Sequence, residues 1–332
     1  MYKNVKPIFF KSITAIHAGT GTNLGLVDLP IQRERHTGFP KIESSGVKGS
    51  LREEFEELIQ DASQNLPKDF VNVAFGPEND GNVHSGSAAF TDARLLLFPV
   101  RSAKGVFAYV TCPYILKRLE EDFAFANIIA AKEKFTEIEG KAQVSGRKLF
   151  VSDNSDVVLE EYTIKAEQTG YAREVAQNIT NWLTLKDFNY IKDNLIIVPD
   201  DIFKDFVKYN TEIVTRIKID DATGTVATGQ LFTEELLPAE TVMYSLVMAS
   251  KIFLPEKAST DEERKLAESG RFVTRSESAT VKYAADSKTD EGKFLVGKIG
   301  EKLNERKYIQ LGGDATIGKG LCLVSMYGGD NQ

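Results

Sequence analysis

Residues 8–52 read IFFKSITAIHAGTGTNLGLVDLPIQRERHTGFPKIESSGVKGSLR, and three patterns follow one another in this stretch. Residues 8–16 are rich in β-branched and aromatic side chains, which predicts a β-strand. The segment after them is rich in glycine, histidine, lysine and arginine. Apolar side chains then recur at helical spacing from Val47 onward, which predicts a helix that begins between Ser45 and Gly49. A strand, a basic loop and a helix therefore open the chain.

Further along, strands and helices interleave without the regular alternation of a doubly wound sheet. Residues 62–86 are polar and predict a loop or a disordered insertion. Pro113 is well placed to open a helix. Residues 213–249 predict a hairpin, with its turn at Asp221–Gly224, followed by another strand. This order favours an α+β fold in which an antiparallel sheet carries helices on one face, and a ferredoxin-like core with insertions fits it best.

The composition is that of an ordinary globular protein, because hydrophobic residues make up 42% of the 332 positions and charged residues 27%. Cys112 and Cys322 lack the spacing of metal ligands, which predicts buried thiols in a reducing compartment. The N-terminal residues show no apolar run typical of a signal peptide. No stretch reaches the ~18 consecutive apolar residues of a membrane span. We therefore expect a cytoplasmic protein that does not interact with membranes.

Charge is distributed unevenly along the chain. The net charge is −7, but residues 1–52 contain 8 Lys/Arg and 3 acidic residues, so this segment is basic and the remainder is acidic. Attraction to phosphate is screened beyond ~8 Å, so one basic face is enough for nucleic-acid binding in a globally acidic protein. The alternative is that the asymmetry reflects only solvated surfaces.

A glycine-rich loop near the C-terminus contains Gly313, Gly318, Lys319 and Gly320. Its spacing is close to that of a phosphate-binding P-loop, which requires Ser or Thr after the lysine to ligate Mg²⁺. Gly320 occupies that position, so we reject nucleotide binding of this type. Two interpretations stay open, namely a loop whose glycines let a phosphodiester backbone approach closely and a tight turn.

The start of the first predicted helix is a second candidate for phosphate binding. Ser44, Ser45 and Lys48 lie where free backbone N–H groups and the positive end of the helix dipole attract anions. The simpler alternative is helix capping by Ser45, or by Ser50 with Glu53 in a capping box. The two roles are compatible, so neither is excluded.

The remaining candidates for chemistry are three histidines and one aspartate. His17, His36 and His84 have no spacing that supports a metal site, and they are either an acid–base pair or structural residues. Asp28 is either a turn residue or a carboxylate that holds Mg²⁺ or orients a ribose hydroxyl.

The chain resembles one known family in four ordered segments, which are GTNLGLVDLPIQRERHTGFPKIESSGVKGSLR, FTDARLLLFPVRSAKGVFAYVTCP, GTVATGQLFTEELLPAETVMYSLV and YIQLGGDATIGKGL. The family comprises the backbone subunits of type III-B CRISPR effectors, the fourth subunit of the Cmr complex. It belongs to the Cas-seven-like group of the RAMP superfamily.

The resemblance implies a palm that is similar to the RNA-recognition fold (RRM-like), with helical insertions and a β-hairpin thumb. We therefore divide the chain into a palm at 1–112 and 296–332 with an insertion at 62–86, a helical insertion region at 113–212, a thumb region at 213–249 and a polar insertion at 250–295.

The resemblance also implies that copies of the chain stack along a guide crRNA beside other Cmr subunits and cut complementary single-stranded target RNA at regular intervals. Cleavage is expected to need a divalent metal, Mg²⁺ or Mn²⁺, to leave a cyclic phosphate, and to use Asp28 as catalytic residue and metal ligand. Expected supporting residues near the target are His17, His36, Glu234 and Glu235. Expected RNA-binding residues are Ser45, Lys48, Arg52, Arg33, Gly313, Gly318, Lys319 and Gly320.

Other functions stay open at this point. One is an RNA-binding scaffold whose partner subunit carries the catalytic residues. Another is a ribonuclease of the same superfamily that processes precursor guide RNA without metal and uses His17 or His36 as general base. An enzyme acting on small nucleotides is the most distant alternative.

Overall fold

The computed structural model describes residues 2–22, 25, 27–77, 84–132, 135–137, 140–151, 155–183, 190–219, 226–258, 260, 263–265, 273–287 and 289–328, with the side chains of 218, 219 and 226–230 left out. The strands are β1 Asn4–Ser12, β2 Lys41–Ile42, β3 Ala89–Phe90, β4 Ala93–Arg101, β5 Phe107–Thr111, β6 Ala142–Val144, β7 Asp156–Leu159, β8 Tyr162–Gln168, β9 Leu195–Ile197, β10 Glu212–Ile219, β11 Val226–Leu236, β12 Val242–Ala249, β13 Tyr308–Gln310 and β14 Leu321–Met326. The helices are α1 Ser44–Gln60, α2 Phe70–Phe75, α3 Pro113–Phe125, α4 Gly170–Trp182, α5 Tyr190–Asn194, α6 Asp200–Tyr209, α7 Ala279–Asp286 and α8 Glu291–Arg306.

One large sheet contains twelve of the described strands, in the main order β13-β14-β1-β12-β4-β5-β9-β6-β8-β7, with β2 paired to β4 and β3 to β12. The part from β14 to β5 is antiparallel. The pairs β5/β9 and β6/β8 are parallel. The α+β prediction is confirmed, but the sheet is mixed rather than antiparallel. The chain passes through helices between β5 and β9, and such crossovers join parallel strands.

Helices cover both faces of this sheet. Phe9 of β1 stacks on Trp182 of α4, with ring centroids 5.4 Å apart. Gly300 of α8 packs against Met326, which pairs with Ile8 of β1. Neighbouring residues of a strand point to opposite faces, so α4 and α8 lie on opposite sides of the sheet. The expectation of helices on one face is therefore wrong, because the region between β5 and β10 supplies a second helical layer.

The predicted first helix is confirmed as α1. It begins at Ser44 and buries the apolar face that the helical spacing indicated, namely Val47, Leu51, Phe55 and Leu58. Phe55 packs on Phe70 and Phe75 of α2, with ring centroids 5.6 and 5.5 Å apart. These two rings lie in the segment 62–86 that was expected to be a loop, and for residues 70–75 that expectation is wrong. The six-residue run FVNVAF is too short to show a helical period in the sequence.

The predicted regions are divided differently by the structure. The strand Val242–Ala249, expected in the thumb region, lies in the large sheet between β1 and β4. The boundary at 295/296 falls inside helix α8. The insertion region 113–212 contributes the strands β6 to β9 as well as helices. Hydrophobic runs of three to eight residues cannot be assigned to one sheet or another from sequence, because pairing partners are distant in the chain.

The strands β10 and β11 form a separate two-stranded hairpin, with pairs from Glu212–Leu236 to Ile217–Leu231. Its predicted turn, Asp221–Gly224, lies outside the described residues. The hairpin carries exposed apolar side chains at Ile213, Ile217 and Leu231. No described helix combines the length and apolar character that crossing a membrane requires.

The aromatic contact between β1 and α4 provides a test of the packing. Substitution Phe9→Ala should lower the free energy of unfolding by about 3–5 kcal/mol, because it leaves a cavity beside fully buried rings. Trp182 is the single tryptophan of the chain, so its fluorescence during urea denaturation reports the transition. The matched control is Phe125→Ala, since Phe125 is 43% exposed and should cost about 1 kcal/mol or less. Equal effects of both substitutions would contradict this packing.

Candidate active site

Asp28 lies at the base of the β10–β11 hairpin and is held there by Thr233 of β11. Its Oδ2 accepts hydrogen bonds from the Thr233 backbone N–H at 2.7 Å and from the Thr233 hydroxyl at 2.9 Å. The Asp28 N–H in turn donates to the same hydroxyl oxygen at 3.0 Å. Leu29 bridges to Glu234 in parallel register. The loop that carries Asp28 is therefore a third strand-like segment beside the hairpin.

The environment of Asp28 keeps its carboxylate charged and accessible. The backbone hydrogen bond from Thr233, followed by the hydroxyl bond, lowers the pKa of Asp28. The side chain is exposed. Both bonds from Thr233 fall on Oδ2, and no hydrogen bond to Oδ1 comes from the part of the chain that the structure describes. An exposed, ionised carboxylate suits a hydroxyl group or a divalent cation.

A cluster of four ionisable side chains forms around Glu234, the residue that follows Thr233 in β11. Glu234 of β11 is almost fully buried and forms an ion pair with Arg216 of β10. Arg216 also pairs with Asp314 of the glycine-rich loop at 2.7 Å. His17 Nδ1 lies 3.3 Å from Glu234 Oε1. Burial raises the pKa of Glu234, and the neighbouring Asp314 raises it further, against the opposing effects of His17 and Arg216.

The hydrogen bonding of His17 selects one tautomer. Its Nδ1 lies 2.9 Å from the backbone carbonyl oxygen of Glu235, which can only accept, so Nδ1 carries the proton. In the neutral ring Nε2 is then the acceptor. The ring packs over Gly19, where an added Cβ would lie 2.4 Å from Nε2. His17 is therefore oriented toward the loop that leads to Asp28.

The structure separates two of the predicted supporting residues from this cluster. His36 is 70% exposed at its side chain, and its Nε2 lies 3.9 Å from Glu34 and 3.5 Å from the Tyr114 hydroxyl. Glu235 is buried and forms an ion pair with Arg33 at 2.5 Å. Arg33 was expected to contact RNA, but its guanidinium is turned inward to this carboxylate.

The glycine-rich loop lies directly against His17. The Gly313 N–H donates to the His17 carbonyl oxygen at 2.8 Å. Gly312 has φ +81°, and a Cβ there would lie 2.4 Å from the same oxygen, so only glycine fits. Gly318 and Gly320 both have φ +76°. The loop is a tight turn, as one interpretation held, and it still presents exposed backbone from Gly312 to Gly318.

The start of α1 is less open to anions than the sequence suggested. The Ser44 N–H donates to Asp92 Oδ1 at 2.9 Å, so a carboxylate of the chain already occupies part of the helix terminus. Glu43 is the N-cap residue and makes no side-chain capping bond, which excludes the proposed caps by Ser45 and Ser50. Ser45 is exposed. Burial lowers the pKa of Lys48, and the adjacent Arg52 adds to this effect.

Arg52 is largely satisfied within the chain. It pairs with Glu56 at 2.6 Å and donates to the carbonyl oxygen of Gly76. The candidate residues thus fall into two groups. Asp28, His17, Glu234 and the glycine-rich loop meet at the base of the hairpin, whereas Ser45, Lys48 and Arg52 lie along the first turns of α1.

The donor atoms around Asp28 determine which kind of metal site this region can form. In the described part of the chain, no group of three or more His, Cys, Asp or Glu side chains is arranged to hold a metal ion. Mg²⁺ is often held by one or two carboxylates together with water and substrate phosphates. Asp28 alone fits that mode of binding, and a cage made only of protein ligands does not fit this region.

Comparison with known proteins identifies the family. The model of the RAMP superfamily matches residues 9–323. The chain belongs to the RAMP superfamily. It is 34% identical over 318 residues to a protein of Pyrococcus furiosus named CRISPR system Cmr endoribonuclease Cmr4, with 95% of this chain and 93% of the relative covered. Within the superfamily it is therefore a member of the Cmr4 family, the Cas7-like backbone subunits of type III-B CRISPR complexes.

Solved RAMP structures share this fold. The crystal structure of oligomeric Cmr4 from Pyrococcus furiosus has a TM-score of 0.62 and 28% identity, with 97% of each chain covered. A chain of a type III-B Cmr-beta complex bound to cognate target RNA has a TM-score of 0.66 and 21% identity, with 98% of each chain covered. The second likeness concerns the fold alone.

The sequence patterns did not indicate three residues of the candidate active site. Thr233 and Asp314 lie within two of the segments that carry the resemblance, but neither they nor Arg216 form a pattern with a recognised chemistry, and their partners are distant in the chain. The alternation of polar and apolar residues in β10 and β11 indicated the hairpin. It did not indicate which hairpin residue would meet Asp28. Only the register of residues 28–31 against β11 supplies that information.

The hold of Thr233 on Asp28 is directly measurable. Substitution Thr233→Val removes the hydroxyl bond to Oδ2 and keeps the backbone bond, so the pKa of Asp28 should rise toward its ordinary value. Carboxyl ¹³C titration by NMR measures the change. The control is Thr215→Val, which removes the hydroxyl of the residue paired with Thr233 across the hairpin and should leave the pKa of Asp28 as it is. An unchanged pKa in Thr233→Val would contradict the geometry.

Glu234 should make stability depend on pH. Its folded-state pKa lies above the ordinary value of 4.5, so its contribution to stability is present below that value and is lost as pH rises through the folded-state pKa. Gln cannot titrate. The unfolding free energy of Glu234→Gln relative to wild type should therefore increase from pH 4.5 to 8, measured by urea denaturation. Glu212→Gln, at an exposed position of β10, should show a constant difference. A constant difference for Glu234→Gln would contradict the assignment.

Proposed function

We propose that this chain is an endoribonuclease subunit that cuts target RNA under the direction of a guide RNA, with Asp28 as its catalytic residue. The observation that carries the proposal is the exposed carboxylate of Asp28, fixed by Thr233 at the base of the hairpin. The name of the Pyrococcus furiosus relative, which contains the word endoribonuclease, supports this activity. The competing role of a pure scaffold would leave such a fixed, ionised carboxylate without a task.

The chemistry requires little from the protein. The 2′-hydroxyl of the target RNA attacks the adjacent phosphorus, the bond to the 5′-oxygen breaks, and a cyclic phosphate and a 5′-hydroxyl result. The chain must place the reacting groups in line and remove a proton from the 2′-hydroxyl, while water delivers a proton to the departing 5′-oxygen. Asp28 would accept this proton or hold a cation.

A divalent metal is part of the proposal. Mg²⁺ or Mn²⁺ would be held by Asp28 and by oxygens of the RNA, and when bound it supplies positive charge next to the reacting phosphate. The ionised state of Asp28, favoured by the Thr233 hydrogen bonds, is the state that such a cation prefers. The residues of the chain orient the substrate and manage the proton.

Guide binding is assigned to two surfaces. One is the glycine-rich loop, with its exposed backbone and Lys319. The other is the first turn of α1, with Ser45 and Lys48. Both surfaces offer N–H groups and positive charge to phosphates. A phosphate beside Lys48 would favour its charged form and so oppose the lowering of the Lys48 pKa by burial. Arg52 is a weaker candidate because Glu56 already neutralises it, and Arg33 is left out because it faces inward.

The fold supports the proposed assembly. Six elements form a β-α-β-β-α-β unit, namely, in chain order, β1, α1, β4, β12, α8 and β14. The strand order of this unit in the sheet is β14-β1-β12-β4. This is the ferredoxin-like arrangement of an RRM-like palm. The hairpin β10–β11 would be its thumb. We propose guide crRNA, single-stranded target RNA, further copies of this chain and other Cmr subunits as partners in the cytoplasm. The oligomer of the Pyrococcus furiosus relative supports the contact between copies.

The decisive experiment compares Asp28→Asn with wild type in the complex assembled with guide RNA and end-labelled complementary RNA. The variant keeps the size of the side chain and loses its charge, so cleavage should fall by about 10²–10⁴-fold while target affinity stays within about twofold. The matched control is Asp286→Asn, an exposed position at the end of α7, which should cut normally.

Three other results would redirect the proposal. Normal cleavage by Asp28→Asn would reject Asp28 as the catalytic residue. Complete absence of cleavage in wild type at every Mg²⁺ or Mn²⁺ concentration would reduce the chain to a scaffold. Cleavage of precursor guide RNA in EDTA, lost in His17→Ala, would favour guide processing.

A further inference from the structure

A buried ion pair between Arg33 and Glu235 connects the Asp28 loop to the hairpin. The Glu235 residue is 7% exposed. Its Oε1 accepts from the Arg33 guanidinium at 2.5 Å and from the Thr211 hydroxyl at 2.8 Å. Its Oε2 accepts from the backbone N–H of Ile31 at 3.1 Å. Both oxygens are therefore satisfied inside the chain, which leaves Glu235 no evident role at the substrate.

Arg33 is used in the same inward manner. Besides the bond to Glu235, its guanidinium donates to the carbonyl oxygens of Gly38 and Val207, each at 2.9 Å. Val207 lies in the last turn of α6, where carbonyl oxygens lack helical partners and attract cations. One guanidinium thus joins the hairpin, the loop after residue 33 and the end of α6.

The Arg33–Glu235 ion pair contacts the segment that carries Asp28. Leu29 exchanges backbone bonds with β11, since its N–H donates to Thr233 O and its carbonyl oxygen accepts from Glu235 N–H, each at 3.0 Å. Pro30 faces the other way, and its carbonyl oxygen accepts from the Thr20 N–H at 3.0 Å. The next donor toward β11 is Ile31 N–H, and it bonds to the Glu235 carboxylate instead of to backbone. The carboxylate therefore extends the ladder by one donor and ties the segment to the hairpin.

We propose that Arg33 and Glu235 are positioning residues that set where the Asp28 carboxylate stands relative to the hairpin. This inference rests on the proposed function, in which Asp28 performs the chemistry. Neither residue touches the reacting groups. Arg33 holds Glu235 in place and neutralises it, and Glu235 holds the backbone at Ile31, three residues after Asp28.

The test separates positioning from stability by means of a double variant. Replacing a buried ion pair by apolar residues of similar size often leaves stability unchanged, so Arg33→Met/Glu235→Leu should fold like wild type. It cannot accept the Ile31 N–H. In the complex with guide RNA, its single-turnover cleavage at saturating target should fall about 10²-fold, as expected for misplacement of a catalytic group by about 1 Å. Target affinity should stay within about twofold.

Two further measurements sharpen the test. Arg33→Lys keeps the charge opposite Glu235 and loses the guanidinium contacts with Gly38 and Val207, so it should retain more cleavage than Arg33→Met. Hydrogen exchange of the Leu29 and Ile31 amides in the isolated full chain should speed up in the double variant and in Arg33→Met. The control Arg35→Met removes an exposed arginine two residues away and should change neither exchange nor cleavage.

Each outcome has one meaning. Wild-type cleavage and wild-type amide exchange in the double variant would overturn the proposal. Equal losses of target affinity and cleavage in Arg33→Met, with a weaker salt dependence, would overturn it in favour of a direct RNA contact. Amide exchange does not depend on catalysis, so it continues to test positioning even if Asp28→Asn cuts normally and the proposed function fails.

Discussion

The short ladder between residues 28–31 and strand β11 is the constraint on which the site depends. Without it, the segment that carries Asp28 would be held only from the other side, where the Thr20 N–H donates to the Pro30 carbonyl and the Gln32 N–H to the Ala18 carbonyl. The ladder consists of two backbone bonds at Leu29 and the paired bonds between Asp28 and Thr233. Each such bond contributes only about 1 kcal/mol, but together they remove the freedom of one loop. A catalytic group gains most from such loss of freedom, because its geometry sets the rate.

The base of the hairpin concentrates charged side chains in a largely buried region. Glu234, Glu235, Arg216 and Arg33 all come from or contact the two strands, and both glutamates are buried. Each carboxylate is matched by an arginine, as burial of charge requires. Arg216 further reaches Asp314 in the glycine-rich loop. Ion pairs therefore connect the glycine-rich loop, which is proposed to bind the guide, to strand β11, which holds Asp28.

Much of this arrangement could be predicted from the sequence, and the rest could not, for physical reasons. The strand β1, the helix α1 and its buried face follow from local periodicity. The hairpin strands follow from the alternation of polar and apolar residues, whereas Asp28 was singled out through the resemblance to a family, and its catalytic role stays a prediction. The partner of Asp28 could not be predicted, because Thr233 lies 205 positions away and a threonine in a strand has no special signal. The role of Arg33 could not be predicted either, because a basic residue in a basic segment gives no sign that it faces a buried carboxylate.

The continuity of the large sheet has a consequence for how this chain can vary. The inserted strands β9, β6, β8 and β7 extend the sheet directly from β5, so the insertion is not a separate lobe attached by a linker. A shorter chain that lacked it would end the sheet at Phe107–Thr111, in which Ala108, Tyr109 and Val110 are fully buried here. Such an apolar edge with unpaired N–H and C=O groups invites pairing with another chain. The inserted strands thus cover an edge that would otherwise promote aggregation.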